Sequence, residues 1–228
     1  MRNPILITGA ARSGTSMTAG IINICGAWGG DMAGKTRHNQ KGMFENNELR
    51  KINKSFLTSI NCDPLGQHPL PKISRVRDIA IDRHEDWRFK VKRIIEKQGH
   101  KNGRPWMYKG AKICLIWPMW FFAFQKAKWV IVRREKEGIV QSCLRTSFMR
   151  KCKDEAGWST WVDHHLKRFI EIRAVSDNVY EVWADKIIAG DFSEIRTTIE
   201  ALGLEWKEDK VRKFVDPKLW SGGKKHGK

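Results

Sequence analysis

Pro4-Ile5-Leu6-Ile7-Thr8-Gly9-Ala10-Ala11-Arg12-Ser13-Gly14-Thr15-Ser16 holds a strand, a turn and a helix start in succession. The apolar run Ile5 to Ile7 is unbroken rather than alternating, the pattern of a short parallel strand buried on both faces. Gly9 and Gly14 stand five positions apart, between that strand and a helix predicted over Thr15 to Ile24. The spacing is the frame of a nucleotide phosphate loop, Gly-x4-Gly-Lys-Ser/Thr. Glycines let the backbone curl until successive N–H groups point inward, and the helix start adds its partial positive charge. Two departures matter. The residue after the second glycine is Thr15 rather than Lys, and a cation, Arg12, lies inside the loop.

Outward from the loop, strands alternate with helices. Further strands are predicted at Trp106 to Lys109, Trp129 to Val132 and Val179 to Trp183. Helices are predicted at Asn46 to Leu57, Ile73 to Gln98, Leu115 to Gln125, Lys136 to about Thr146 and Trp158 to Val175. Asp191 with Glu194 resembles a capping box for a last helix, with Gly203 as its terminator. The alternation predicts an α/β fold, a three-layer sandwich around a central, mainly parallel sheet with a P-loop-like strand–loop–helix. One domain over residues 1–228 is expected, with a frayed basic tail at about 221–228.

The strand Trp129 to Val132 leads into Arg133-Arg134, where an ATPase or kinase places an acidic ligand for Mg²⁺. Two guanidinium groups there repel magnesium and attract phosphate, so the expected ligand is a nucleotide bound without metal. The overall charge agrees: Lys plus Arg outnumber Asp plus Glu by 43 to 25, a formal +18 that favours anionic ligands. The five cysteines are odd in number and widely spaced, with no zinc-like spacing, so a reduced, cytoplasmic setting is expected. The N-terminus lacks the apolar core of a signal peptide, and the longest apolar stretch, Leu115 to Phe124, is broken by Pro118 and too short to span a membrane.

Arg12-Ser13-Gly14-Thr15-Ser16 after a strand resembles the 5′-phosphosulfate loop of sulfotransferases that use 3′-phosphoadenylyl sulfate (PAPS), a loop that typically reads Lys/Arg-Ser/Thr-Gly-Thr. The segment Val130 to Ser142 resembles that family's 3′-phosphate element, in which an Arg ends a strand and a Ser follows eight positions later. Arg134 and Ser142 have that spacing, whereas Arg133 pairs with Gln141; Glu135-Lys136 replaces the usual Asp/Asn-Pro. Lys41-Gly42-Met43-Phe44-Glu45-Asn46 and the C-terminal strand–helix add to the likeness, which extends over most of the chain. The resemblance implies metal-independent, in-line sulfuryl transfer from PAPS to a hydroxyl or amine. It implies donor binding by Ala11, Arg12, Ser13, Gly14, Thr15, Ser16, Arg134 and Ser142.

For the chemistry, Arg12 is the candidate cation for the leaving oxygen. Some members of the family use a His in a Lys-Thr-His strand as base; the similar stretch Tyr108-Lys109-Gly110-Ala111 puts Ala111 there. Glu45 is the best match to branches that use a carboxylate, against a plain helix-start carboxylate; His38 and Asp31 lie in the same region. Lys109 is a candidate sulfonate contact or a plain surface lysine. The family's adenine-stacking Trp is Met17 here. Trp117, Trp120, Trp158 and Trp161 sit at helical spacing as core residues, and the adjacent His164 and His165 face different sides of their helix. No metal site is expected. The acceptor (saccharide, lipid, small alcohol or amine) and the oligomeric state are not legible. A P-loop kinase is the rival enzyme reading. A basic nucleic-acid-binding protein is the rival from another class, against which the cations are scattered and no binding motif occurs, so no specific nucleic acid is expected.

Overall fold

The computed structural model describes residues 2–101 and 103–220; the tail expected at 221–228 lies outside the described residues. Four strands form one sheet: β1 (Ile5–Thr8), β2 (Met107–Lys109), β3 (Lys128–Arg133) and β4 (Val179–Trp183). Their order is β2-β1-β3-β4 and every pairing is parallel, with Ile5 beside Met107 and Lys128, and Trp129 beside Val179. Nine helices accompany them among the described residues: α1 (Thr15–Ile24), α2 (Asn47–Ser59), α3 (Ile73–Lys97), α4 (Trp117–Ala123), α5 (Lys136–Leu144), α6 (Glu155–Val175), α7 (Ala184–Ile188), α8 (Ser193–Ala201) and α9 (Glu208–Phe214). The fold is α/β, and β1 and α1 occupy the positions expected from the sequence.

Strand alternation splits the core in two. Leu6, Tyr108, Trp129 and Ile131 face a layer built from α2, α3, α4 and α6. Ile5, Ile7, Met107, Val130, Val132 and Val182 face the opposite layer, built from α1 and α7 to α9. A sheet covered on both faces must be apolar on both, and this is why Ile5 to Ile7 shows no alternation. A third cluster packs Ala10 of the loop against Ile139, Val140 and Cys143 of α5 and Trp158, Trp161 and Val162 of α6. The phosphate-loop candidate is thus wedged from beneath rather than suspended.

The described structure refines several sequence expectations. The aromatic stretch Leu115 to Gln125 is not one helix: a 3-10 segment, Ala111–Ile116, precedes α4. Pro118 sits in the first turn of α4, where its missing N–H costs nothing, so the α-helix begins beside it and not before. Asp191 and Glu194 form no reciprocal capping box. Asp191 accepts from the Ser193 N–H at 3.0 Å, while the Glu194 carboxylate turns to the Trp183 N–H and Lys186. At the other end of α8, Gly203 takes φ 76°, and its N–H and that of Leu204 reach the Glu200 and Ile199 carbonyls, a Schellman closure. Helices α7 and α9 escape a periodicity reading because each is shorter than two turns.

The four tryptophans expected in the core are buried. Trp120 stacks on Tyr108 at 5.2 Å and meets Trp87 edge-on at 5.7 Å. Its indole N–H donates to the Asn53 carboxamide oxygen at 3.0 Å, and the Asn53 amide donates to the Leu49 carbonyl and the Tyr108 hydroxyl. This knot fastens α2 to β2 and so sets where the α2 side chains point. His165 is buried against Trp161 and His164 is exposed. Among the described residues all five cysteines are free thiols, and no helix is long and apolar enough to cross a membrane.

Trp120→Ala removes the ring and strands the Asn53 oxygen. We expect a loss of about 3–5 kcal/mol in urea unfolding, at the high end for an aromatic truncation because a buried acceptor is orphaned.

Candidate active site

Between β1 and α1 the chain makes the turn that the glycine spacing calls for. A Cβ on Gly9 would lie 2.7 Å from the Val132 carbonyl oxygen and 2.7 Å from the Ser13 hydroxyl, so only glycine lets the loop pass this close to β3. Gly14 has φ 93° and precedes α1 with no side-chain cap and no acidic residue in the first turn. The first N–H groups of α1 have no intrahelical acceptor and carry the positive end of the helix dipole. The Ser13 hydroxyl is buried and finds no hydrogen-bond partner among the described residues. Such a donor is costly unless a ligand oxygen meets it.

Arg12 adopts a left-handed backbone, φ 74°, which costs a non-glycine residue about 1 kcal/mol or more. Bonds to α5 and to the end of β3 help to hold it there. Its Nε donates to the Ser142 hydroxyl at 3.0 Å, and its carbonyl oxygen accepts from Arg134 Nη1 at 2.7 Å. The two motifs singled out from the sequence, the loop and the Arg134–Ser142 pair, are therefore one constellation. Arg134 is buried, and burial draws its pKa down to about 10; Asp185, 4.0 Å from its Nε, opposes the fall and Arg12 and Arg145 add to it. Burial likewise lowers the Arg12 pKa. Both stay cationic at neutral pH, desolvated beside one another. Arg133 points elsewhere: it lies 3.7 Å from Glu181 and over the rings of Phe169 and Trp183.

A cleft of about 750 Å³ opens above the loop, lined by Ala11, Arg12, Gly14, Thr15, Ser16, Arg134 and Ser142 at one end and by Glu45 and Lys109 farther along. Ser13 is beneath this wall. Glu45 and Lys109 are both buried, and Lys109 Nζ donates to Glu45 Oε1 at 3.1 Å. Lys109 is therefore no surface lysine. Glu45 directly precedes Asn46, which caps α2 by accepting from the Leu49 N–H at 3.2 Å, and the Glu45 carboxylate is bonded to Lys109. Burial alone would raise the Glu45 pKa, but Lys109, Lys112 and Arg50 outweigh it and hold the carboxyl below its ordinary value. It is ionised at neutral pH. Of the other carboxylate and imidazole candidates, His38 lines the cleft and bonds Ser147, whereas Asp31 lies outside it, exposed beside Asn47. Ala111 lines the cleft.

Several cleft residues were not singled out from the sequence. Trp220 lies with its ring 4.0 Å from the Arg134 guanidinium, and a Cβ on Gly14 would come within 3.0 Å of the same ring. The C-terminal segment thus folds back over the loop, a contact that no local pattern announces. Arg50, Lys54, Lys112 and Arg145 also line the cleft. Spacing of Arg50 and Lys54 by four was a readable signal, but without the fold nothing said which way that helical face pointed. Across the described wall two carboxylates, Glu45 and Asp216, stand against ten Lys and Arg side chains. Among the described residues no group of three or more His, Cys, Asp or Glu is arranged to hold a metal ion.

No protein-family model and no curated protein matches the sequence. Solved structures do match. A sulfotransferase domain from the curacin biosynthetic pathway aligns with a TM-score of 0.59 at 10% identity, over 98% of this chain and 81% of that one. The sulfotransferase domain of the Synechococcus PCC 7002 olefin synthase aligns with a TM-score of 0.57 at 15% identity, over 96% of this chain and 87% of that one. Sulfotransferase STF1 from Mycobacterium tuberculosis H37Rv aligns with a TM-score of 0.50 at 16% identity, over 94% and 71%. At such identities the shared path of the backbone carries the comparison. With its parallel sheet and its glycine loop between β1 and α1, this chain has the sulfotransferase fold.

Proposed function

We propose that the protein transfers a sulfuryl group from PAPS to a hydroxyl or amine acceptor, with Arg and Lys side chains in place of a metal ion. The observation that carries this reading is that Arg12, in the loop between β1 and the uncapped start of α1, is joined both to Arg134 just past the end of β3 and to Ser142 of α5. A donor with charge at both ends needs two such places. Ala11 to Ser16 supply backbone and hydroxyl donors for the 5′-phosphosulfate, and Arg134 with Ser142 supplies the 3′-phosphate subsite. Charge-assisted hydrogen bonds of this kind are worth about 1.5–3 kcal/mol each. The cleft suits this donor better than a nucleotide triphosphate with Mg²⁺, because the buried carboxylate Glu45 is already committed to Lys109.

In the proposed reaction the acceptor oxygen or nitrogen attacks sulfur in line, and its proton passes to Glu45. The new bond to sulfur forms as the bond from sulfur to the bridging oxygen of the nucleotide breaks. Arg12 stabilises the negative charge that builds on that oxygen, a preorganised electrostatic role. Lys109 serves both sides. While paired with Glu45 it keeps the carboxylate ionised and weakly basic; drawn toward a sulfonate, it releases Glu45 to a higher proton affinity at the point of transfer. Burial of Glu45 and Lys109 makes their interaction stronger than it would be in solvent.

Calorimetry with 3′-phosphoadenosine-5′-phosphate, the nucleotide product, tests the donor assignment. We expect binding in the presence of a chelator, weakened about 100-fold or more by Arg134→Ala and about 3- to 10-fold by Ser142→Ala. No binding at millimolar nucleotide, or robust Mg²⁺-dependent ATP turnover, overturns the reading. Glu45→Gln should lower kcat by about 10²- to 10⁴-fold with nucleotide affinity unchanged. Because the folded carboxyl sits below its ordinary pKa, it stays charged as pH falls through the usual glutamate range. The acid limb of kcat/KM should therefore lie below that range; a limb above it removes Glu45 as the base.

A further inference from the structure

Around the Glu45–Lys109 pair the cleft wall carries a second group of cations. Arg50 and Lys54 stand one turn apart on α2, and both line the cleft. Lys112 reaches it from the 3-10 segment, its stem lying against Gly66. All three are half-buried, and none makes a salt bridge among the described residues. Arg50 reaches only the neutral Asn47 carboxamide at 3.3 Å and the Met43 sulfur at 4.0 Å. Like charges one turn apart weaken a helix, and half-burial deepens the repulsion, so the arrangement works against folding.

The charges separate into two sets. Those acting on Arg134 belong to Asp185, Arg12, Arg145 and Cys143. Those acting on Lys112 belong to Glu45, Lys54, Lys109 and Arg50, and burial together with the three neighbouring cations pushes its pKa down against the pull of Glu45. Direct contacts divide the same way: Arg134 meets the Arg12 carbonyl at 2.7 Å and Asp185 at 4.0 Å, whereas Lys109 meets Glu45 at 3.1 Å. The donor's phosphates fall to the first, and the second is left with Arg50, Lys54 and Lys112 beside the Glu45–Lys109 pair.

We infer that the acceptor carries negative charge of its own, as sulfate, carboxylate or phosphate groups near the hydroxyl or amine that is modified, and that Arg50, Lys54 and Lys112 bind this charge. The inference rests on the donor reading, which assigns the loop end of the cleft to the nucleotide. An anion in the second set neutralises the crowded cations and leaves Glu45 free to face the neutral acceptor group. It also names a specificity: an uncharged alcohol of the same shape leaves these cations desolvated and unmet, which selects against it.

The test is calorimetry on protein saturated with 3′-phosphoadenosine-5′-phosphate at about 150 mM salt, where long-range attraction is screened. The probes are sucrose octasulfate, a hyaluronan tetrasaccharide and inositol hexakisphosphate, with sucrose as the uncharged control; the tightest names the anion. Arg50→Ala/Lys54→Ala should weaken the best probe about tenfold or more, and Lys112→Gln, an independent variant, should weaken it severalfold. Lys90→Ala/Arg93→Ala removes the same charge from the exposed face of α3, outside the cleft, and should change nothing. Nucleotide affinity should stay within about twofold of the parent in every variant. If no anionic probe binds, or if the two double variants weaken binding equally, the anionic acceptor is wrong while the donor reading stands. If the nucleotide itself fails to bind the parent protein, the donor reading falls and this inference with it.

Discussion

Arg134 donates to the carbonyl oxygen of Arg12 across 122 positions of chain, and the shape of the cleft follows from that bond. It turns the loop backbone into a left-handed bend at a residue that disfavours one. It brings the Arg12 side chain within reach of Ser142 and ties the ends of β1 and β3 together. Two guanidinium groups held side by side in partial burial repel one another. The fold tolerates this because the loop is wedged by Ala10 against α5 and α6, because Asp185 stands near Arg134, and because the Trp220 ring covers its face.

A second compromise sits in the same cleft. Burying Glu45 is unfavourable by itself, and burying Lys109 beside it repays the cost only because the pair is hydrogen-bonded at 3.1 Å. The surrounding cations then hold the carboxylate ionised, which gives the wall its one buried negative charge. The Asn53–Tyr108–Trp120 knot lies directly behind, and its hydrogen bonds set α2 against β2. The apolar core thereby determines where Arg50 and Lys54 stand relative to Glu45, so packing on one side of α2 becomes electrostatics on the other.

Much of this was legible in the chain. The four positions framed by Gly9 and Gly14 after an unbroken apolar run specify a strand, a tight turn and a helix, because Gly9 passes too close to β3 for a side chain and Gly14 takes φ 93°. The Arg134–Ser142 spacing was readable only through its resemblance to the 3′-phosphate element of PAPS-dependent sulfotransferases. The capping box at Asp191 misled for a local reason: its Glu194 had a better partner in the Trp183 N–H, contributed by a neighbouring strand end rather than by its own helix.

By itself, then, the sequence determined the α/β alternation and the phosphate-loop geometry at Gly9 to Gly14 with Arg12 inside it, since these rest on backbone sterics and short-range periodicity; Arg134, Ser142 and Glu45 became candidates through the resemblance to sulfotransferases. Tertiary structure alone decided that Arg134 rather than Arg133 faces the loop, that Lys109 is Glu45's buried partner, that Trp220 returns to cover Arg134, and that Arg50, Lys54 and Lys112 share a wall. Each of those depends on which face of an element meets which other element. That is settled by the packing of two apolar layers on the sheet, a long-range condition that no single stretch of chain encodes.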